Sequence, residues 1–118
     1  MADPIVPLPA NPLIRFEDFK KLEMITARVI SAELHPQADR LLVLRVETGK
    51  GEKTVVAGIR KSYAPESLIG RTVILVHNLE PAQIRGVVSE GMLLACHDGE
   101  SIRLVVPDGS VAAGQPVK

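Results

Sequence analysis

Tryptophan is absent, and aromatic residues make up only 3% of the 118 residues, so the core has to be filled by Val, Ile and Leu. β-Branched side chains pack well on pleated surfaces, which favours strands over helices. One cysteine, Cys96, rules out an intrachain disulfide. It sits within an apolar run, which predicts a buried small hydrophobe in a reducing compartment. Net charge is also missing, with 14 basic residues against 14 acidic, so the global balance gives no support to a nucleic-acid partner. The distribution says more: from Arg15 to Lys61 ten basic residues face seven acidic ones, compatible with one basic face or with an ordinary mixed surface. No apolar run reaches the length of a membrane span, and no basic segment leads into an apolar core near Met1. The expectation is a cytoplasmic chain with no membrane partner. His35 has no second histidine or cysteine at ligand spacing, so neither a metal nor a cofactor is expected.

What is present reads as one domain of many short strands. Residues 1–14, with four prolines by Pro12, are expected to form a flexible arm, and 15–118 the domain. Phe16, Phe19 and Leu22 fall on one side of a short helix over Arg15 to Leu22. Strands are predicted over Ile25–Leu34, Leu41–Thr48, Lys53–Ala57, Thr72–His77, Met92–Cys96 and Ile102–Val106. His35-Pro36 ends the first of these, because proline drives the preceding residue out of helical space. Pro65 and Glu66 suit a first helical turn between the third and fourth strands. The expectation is an all-β barrel of the oligonucleotide/oligosaccharide-binding (OB) type, with sandwich topologies still open.

The stretch from Gln83 to Cys96 combines two glycines, an arginine, a hydroxyl and an apolar run. Gly86 and Gly91 permit sharp bends that bring bare amides to a ligand, with Arg85, Ser89 and Met92 at or near them. Met92 to Cys96 is then expected to be a buried strand leaving the bend. An enzymatic reading of Ser89 with Glu90, or Cys96 with His97, fails on geometry. Neighbours on a strand point to opposite faces and cannot act as a dyad.

Several spaced motifs resemble the tRNA-binding domain shared by stand-alone bacterial tRNA-binding proteins and the C-terminal domain of dimeric methionyl-tRNA synthetases. They are Phe16-Glu17-Asp18-Phe19; His35-Pro36 with Ala38-Asp39-Arg40-Leu41-Leu42; Val56-Ala57-Gly58-Ile59; Tyr63-Ala64-Pro65-Glu66; Asn78-Leu79-Glu80-Pro81; and Arg85-Gly86-Val87 with Ser89-Glu90-Gly91-Met92. The resemblance covers Phe16 to Lys118 and implies an OB barrel, a homodimer with a C-terminal dimerisation extension, and binding of tRNA by backbone shape with little sequence preference. It also implies a partnership with a methionyl-tRNA synthetase catalytic region and no catalysis by the domain itself. Two departures stand out. Ala82-Gln83 replaces a usual basic pair, and the first strand lacks the common Asp-Leu-Arg-Val-Gly form.

Barrel recognition of RNA needs cations for phosphates, polar groups for hydrogen bonds and soft surfaces for bases. Arg28, Arg40, Lys53, Arg60 and Arg85 are the candidate cations, Asn78 and Ser89 the hydrogen-bonding groups, and Met92 the apolar contact. Tyr63, the one tyrosine, is expected to pack by the short helix and not to stack on a base. Phe16, Phe19 and Leu22 at one end, with Val105, Val106, Val111 and Val117 at the other, leave apolar material that a second copy would cover. The alternative is that both ends fold back on their own barrel. A third class, an oligomerisation module with incidental RNA contact, also stands.

Overall fold

A computed structural model describes residues 12–118. The arm expected over 1–14 lies outside the described residues except for 12–14, which carry no helix or strand. A single helical turn follows, α1 (Phe16–Phe19), and then ten strands: β1 (Met24–Leu34), β2 (Leu42–Glu47), β3 (Glu52–Ala57), β4 (Thr72–Val76), β5 (Ala82–Ile84), β6 (Val87–Ser89), β7 (Met92–Leu93), β8 (Ala95–Asp98), β9 (Ser101–Leu104) and β10 (Pro116–Val117). One 3₁₀ turn, Pro65–Ser67, separates β3 from β4, with proline at its start where a missing N–H costs nothing.

The principal sheet runs β3-β2-β1-β4-β7 and is antiparallel throughout. β1 is long enough to serve two neighbours in turn. Its first half pairs with β4 and its second half with β2, and a register shift between Val29 and Ser31 lets it bend from one to the other. Alternation on β2 buries Leu42, Leu44 and Val46 and leaves Arg45 exposed. With Ala27, Val29, Val55, Leu68, Val73 and Leu75 they form a core of aliphatic side chains. The nearly closed sheet is an OB barrel, as expected.

Two seams of this barrel are sealed by side chains. At β3, the Thr54 N–H donates to Glu90 Oε1 (3.0 Å) and the Val56 N–H to Ser89 Oγ (2.9 Å), while the Glu90 N–H returns a bond to the Thr54 carbonyl (2.8 Å). At β9, the Ile102 N–H donates to Ser62 Oγ and the Leu104 N–H to the Tyr63 hydroxyl, both at 3.0 Å. Tyr63 therefore packs where expected, half-buried against the core, with the Arg71 guanidinium 5.7 Å from its ring.

Three expectations change. Met92–Cys96 is not one buried strand: it breaks at Leu94, so that β7 pairs with β4 and β8 with β9. Cys96 is exposed because it alternates with the inward Ala95 on the β8–β9 ribbon. The helix is four residues, not eight, and buries none of them. The C-terminal extension is tied to its own barrel, with its apolar Val117 left beside α1: β10 pairs with the start of β1, and Thr26 takes four bonds from or to Ala112, Gly114 and Gln115.

Candidate nucleic-acid interface

The segment Ala82–Ser89 is a hairpin closed by the two-residue turn Arg85-Gly86. Both turn residues have positive φ, 52° and 89°, the pattern of a type I′ turn, whose twist matches that of the strands it joins. Glycine adopts that backbone freely. Arginine does not, and a residue with a Cβ in this region costs on the order of 1 kcal/mol. Arg85 is exposed and makes no salt bridge among the described residues, neither with Glu80 and Glu90 beside it in sequence nor with any other carboxylate. A cation is held in a strained conformation at the tip of the hairpin, with its charge free for a ligand.

The other elements of that rim converge on the tip. The β1–β2 loop closes on itself through His35 N–H to Leu41 O (3.1 Å), and Ala38 is buried beneath it. Arg60, just beyond β3, donates its backbone N–H to the Arg40 carbonyl and its Nη1 to the Ala38 carbonyl, both at 3.3 Å. On the other side, the His35 ring nitrogen Nε2 lies 3.1 Å from the Ile84 carbonyl, one residue before the hairpin turn. A Cβ built on Gly86 would stand 4.0 Å from Gln37 Oε1. Arg40, Arg60 and Arg85 thus share one end of the barrel, and Asp39 is the exposed carboxylate within the same loop. In an OB barrel the β1–β2 loop and the loop after β4 flank the oligonucleotide-binding face.

The remaining candidates lie elsewhere or are already engaged. Arg28 is exposed on β1 away from the rim, opposite Glu47 on β2 and Thr72 on β4. Lys53, at the far end of β3, donates Nζ to the His77 carbonyl (2.7 Å). Asn78 is a strap for α1: its Oδ1 accepts the Glu23 N–H (2.9 Å) and its Nδ2 donates to the Lys21 carbonyl (2.7 Å). Ser89 is 4% exposed, and its hydroxyl accepts from Val56 and donates to the Gly91 carbonyl (3.0 Å), so it serves the seam and is shielded from the surface. Met92 is half-exposed on β7, opposite Val76. Gly91 also serves the barrel and not a ligand, because a Cβ there would lie 2.8 Å from Leu75 Cδ1 and 2.9 Å from the Val76 carbonyl.

Two features escaped the sequence reading. Arg45 is cationic but committed, its Nε and Nη2 both on Glu52 Oε1 at 3.1 and 2.8 Å. His35 reads in the sequence as a strand end and as an isolated histidine without metal partners, not as a side chain that ties two segments together. Its position immediately before Pro36, where an acceptor side chain meets the amide two residues on, was the available signal. Among the described residues, no group of three His, Cys, Asp or Glu is placed to hold a metal.

At the opposite side of the molecule, Phe16, Phe19, Leu22 and Met24 meet Pro116 and Val117 around an apolar groove of about 530 Å³. Of the second apolar set only Val117 reaches this groove; Val106 lies elsewhere, beside Arg71 and Thr72. Phe16 remains 69% exposed.

A five-stranded antiparallel barrel of this order, with a helical turn between its third and fourth strands and a cationic rim at its paired loops, defines an OB-type nucleic-acid-binding domain. Within that class the chain belongs to the family described as "Putative tRNA binding domain", whose pattern matches residues 24–116. It is 47% identical over 105 residues to a methionine–tRNA ligase of Pyrococcus horikoshii, covering 89% of this chain and 14% of the ligase. It is 44% identical over 106 residues to the corresponding ligase of Porphyromonas gingivalis, covering 89% of this chain and 16% of that protein. The chain thus spans about one seventh of the curated relatives it matches. Among solved structures it is similar to a MetRS-related protein from Pyrococcus horikoshii, with a TM-score of 0.85, 32% identity and coverage of 92% of this chain and 100% of that one. It is also similar to the chaperone CsaA of Bacillus anthracis, with a TM-score of 0.83, 29% identity and coverage of 91% and 100%.

Proposed function

We propose that this tRNA-binding domain recognises folded tRNA through backbone shape, with little preference for base sequence, using the rim of Arg40, Arg60 and Arg85. The observation that carries the reading is Arg85, held at positive φ on the hairpin tip with no salt bridge among the described residues. Strain that persists at one exposed residue points to a function for it. Scarce aromatics leave little for stacking on bases, whereas three guanidinium groups suit phosphates. The domain acts in the cytoplasm, either free-standing, as in relatives that match over their whole length, or as the C-terminal tRNA-binding and dimerisation part of a methionyl-tRNA synthetase. Neutralising three phosphates gives a salt slope of roughly −2.1 to −2.7, so affinity falls roughly 20–40-fold between 50 and 200 mM salt. Titration of several unrelated tRNAs and a duplex RNA at two salt concentrations tests this. Strong preference for one tRNA, or no salt effect, overturns it.

The homodimer belongs to the same proposal, and the groove between α1 and β10 supports it. Phe16 and Val117 of each copy would be covered by the same surface of its mate about a two-fold axis. Two rims on one particle offer a longer track of phosphate contacts. An oligomerisation module with incidental RNA contact is the second reading, favoured by this groove alone. Sedimentation at low micromolar concentration with and without tRNA separates them: a monomer refutes the dimer, and a dimer that ignores tRNA favours the second reading.

A further inference from the structure

His35 is one of four buried polar residues among those described, and at 3% exposure it cannot itself reach a ligand. Its two ring nitrogens hold two different segments. Nδ1 accepts the Gln37 N–H at 3.0 Å, which leaves the proton of the neutral ring on Nε2. That N–H donates to the Ile84 carbonyl at 3.1 Å, immediately before Arg85. The base of the hairpin is fixed separately, by Ser89 and Glu90 on β3. His35 therefore holds the tip and not the base.

We propose that His35 is a positioning residue that sets Arg85 against Arg40 and Arg60, so that the three cations meet an RNA backbone as one preorganised group. The inference rests on the rim being the RNA-binding face. Arg40 belongs to the β1–β2 loop, Arg60 is tied to that loop by its backbone N–H and by Nη1, and Arg85 is joined to it through this imidazole. Cutting the link leaves all three charges present and the barrel closed, but it lets the tip swing. Binding then has to supply the ordering that the imidazole supplies in advance.

Two substitutions separate the two bonds. In His35→Asn the side-chain oxygen sits near the Nδ1 position and still accepts the Gln37 N–H, as asparagine does in an Asx turn, but the side chain is too short to reach Ile84. In His35→Gln the amide reaches one carbon further and its NH₂ occupies the Nε2 position, restoring the donor to Ile84 while giving up the turn contact. A role confined to folding the loop favours Asn over Gln. A role in positioning the tip favours Gln over Asn.

The experiment is a tRNA titration of wild type, H35N, H35Q, R85A and H35N/R85A at one salt concentration, with thermal melting and amide exchange on each. The expected result is that H35N and R85A each bind roughly fivefold more weakly than wild type, the scale of one exposed charge contact. The double variant is expected to be no weaker than either single one, because a loose arginine and a missing one are equivalent, and H35Q recovers most of the H35N loss. Amide exchange in H35N should rise at residues 84–87 and stay unchanged in β1 to β4. Independent, multiplying losses of roughly 25-fold in the double variant overturn the proposal. So does H35N binding like wild type, H35N outperforming H35Q, or global unfolding of H35N. Absence of any wild-type tRNA shift, or R85A binding like wild type, instead removes the rim itself and His35's role with it. An R85A loss beside an intact H35N removes His35 alone.

Discussion

Replacing Arg85 by asparagine separates affinity from stability in opposite directions. Asparagine tolerates positive φ far better than arginine and is a favoured first residue of a type I′ turn, so the φ of 52° ceases to be strained. Relief of about 0.5–1 kcal/mol raises the melting temperature of a domain this size by about 2–6 °C. The same change removes one exposed cation from the rim. Loss of one phosphate contact costs about 1 kcal/mol, or about fivefold in affinity, and reduces the salt slope by about 0.7–0.9. The assays are a thermal melt and tRNA titrations at three or more salt concentrations. A variant that loses stability along with affinity would mean that Arg85 packs on its own protein, and one that keeps both affinity and slope would mean that Arg85 does not touch RNA.

Ser89→Ala is expected to destabilise by about 1–3 kcal/mol in urea unfolding, since the Val56 N–H and the Gly91 carbonyl lose their partner, while affinity per folded molecule stays unchanged. Gly91→Ala should cost about 1–3 kcal/mol by the same measurement, because its Cβ would press on Leu75 and the Val76 carbonyl. Truncation after Val106 should lower the melting temperature and not simply yield a stable monomer, as it strips β10 and four bonds from Thr26. A truncated chain with unchanged melting would show that the tail adds nothing to the barrel.

Much of the barrel was legible because alternation is a local signal. Leu42, Leu44 and Val46 announce an inward face, and the Pro65-Glu66 turn announces the break between β3 and β4. The break at Leu94 was not legible, since Met92 to Cys96 is uniformly apolar and only the pairing partners, β4 before it and β9 after it, decide where one strand ends. For the site, Arg40, Arg60 and Arg85 are legible as cations, but their convergence is a long-range fact carried by His35 and the Ala38 carbonyl. Ser89 and Asn78 are ambiguous in the sequence for one reason. A hydroxyl or amide beside a glycine or a turn reads the same whether its partner is a ligand or the protein's own backbone, and here Val56, Gly91, Glu23 and Lys21 are those partners.

The side-chain seal along β3 also guards the molecule in a crowded solution. An uncovered strand edge offers a row of N–H and C=O groups on which a foreign strand can add, which is how aggregation and strand exchange begin. On β3 that row is occupied by one serine and one glutamate, not by a full ladder, so a single local opening of residues 89–90 would uncover a strand edge beside the aliphatic core. Weakening this clasp therefore threatens solubility together with stability, and clumping on storage or during refolding would be its visible sign.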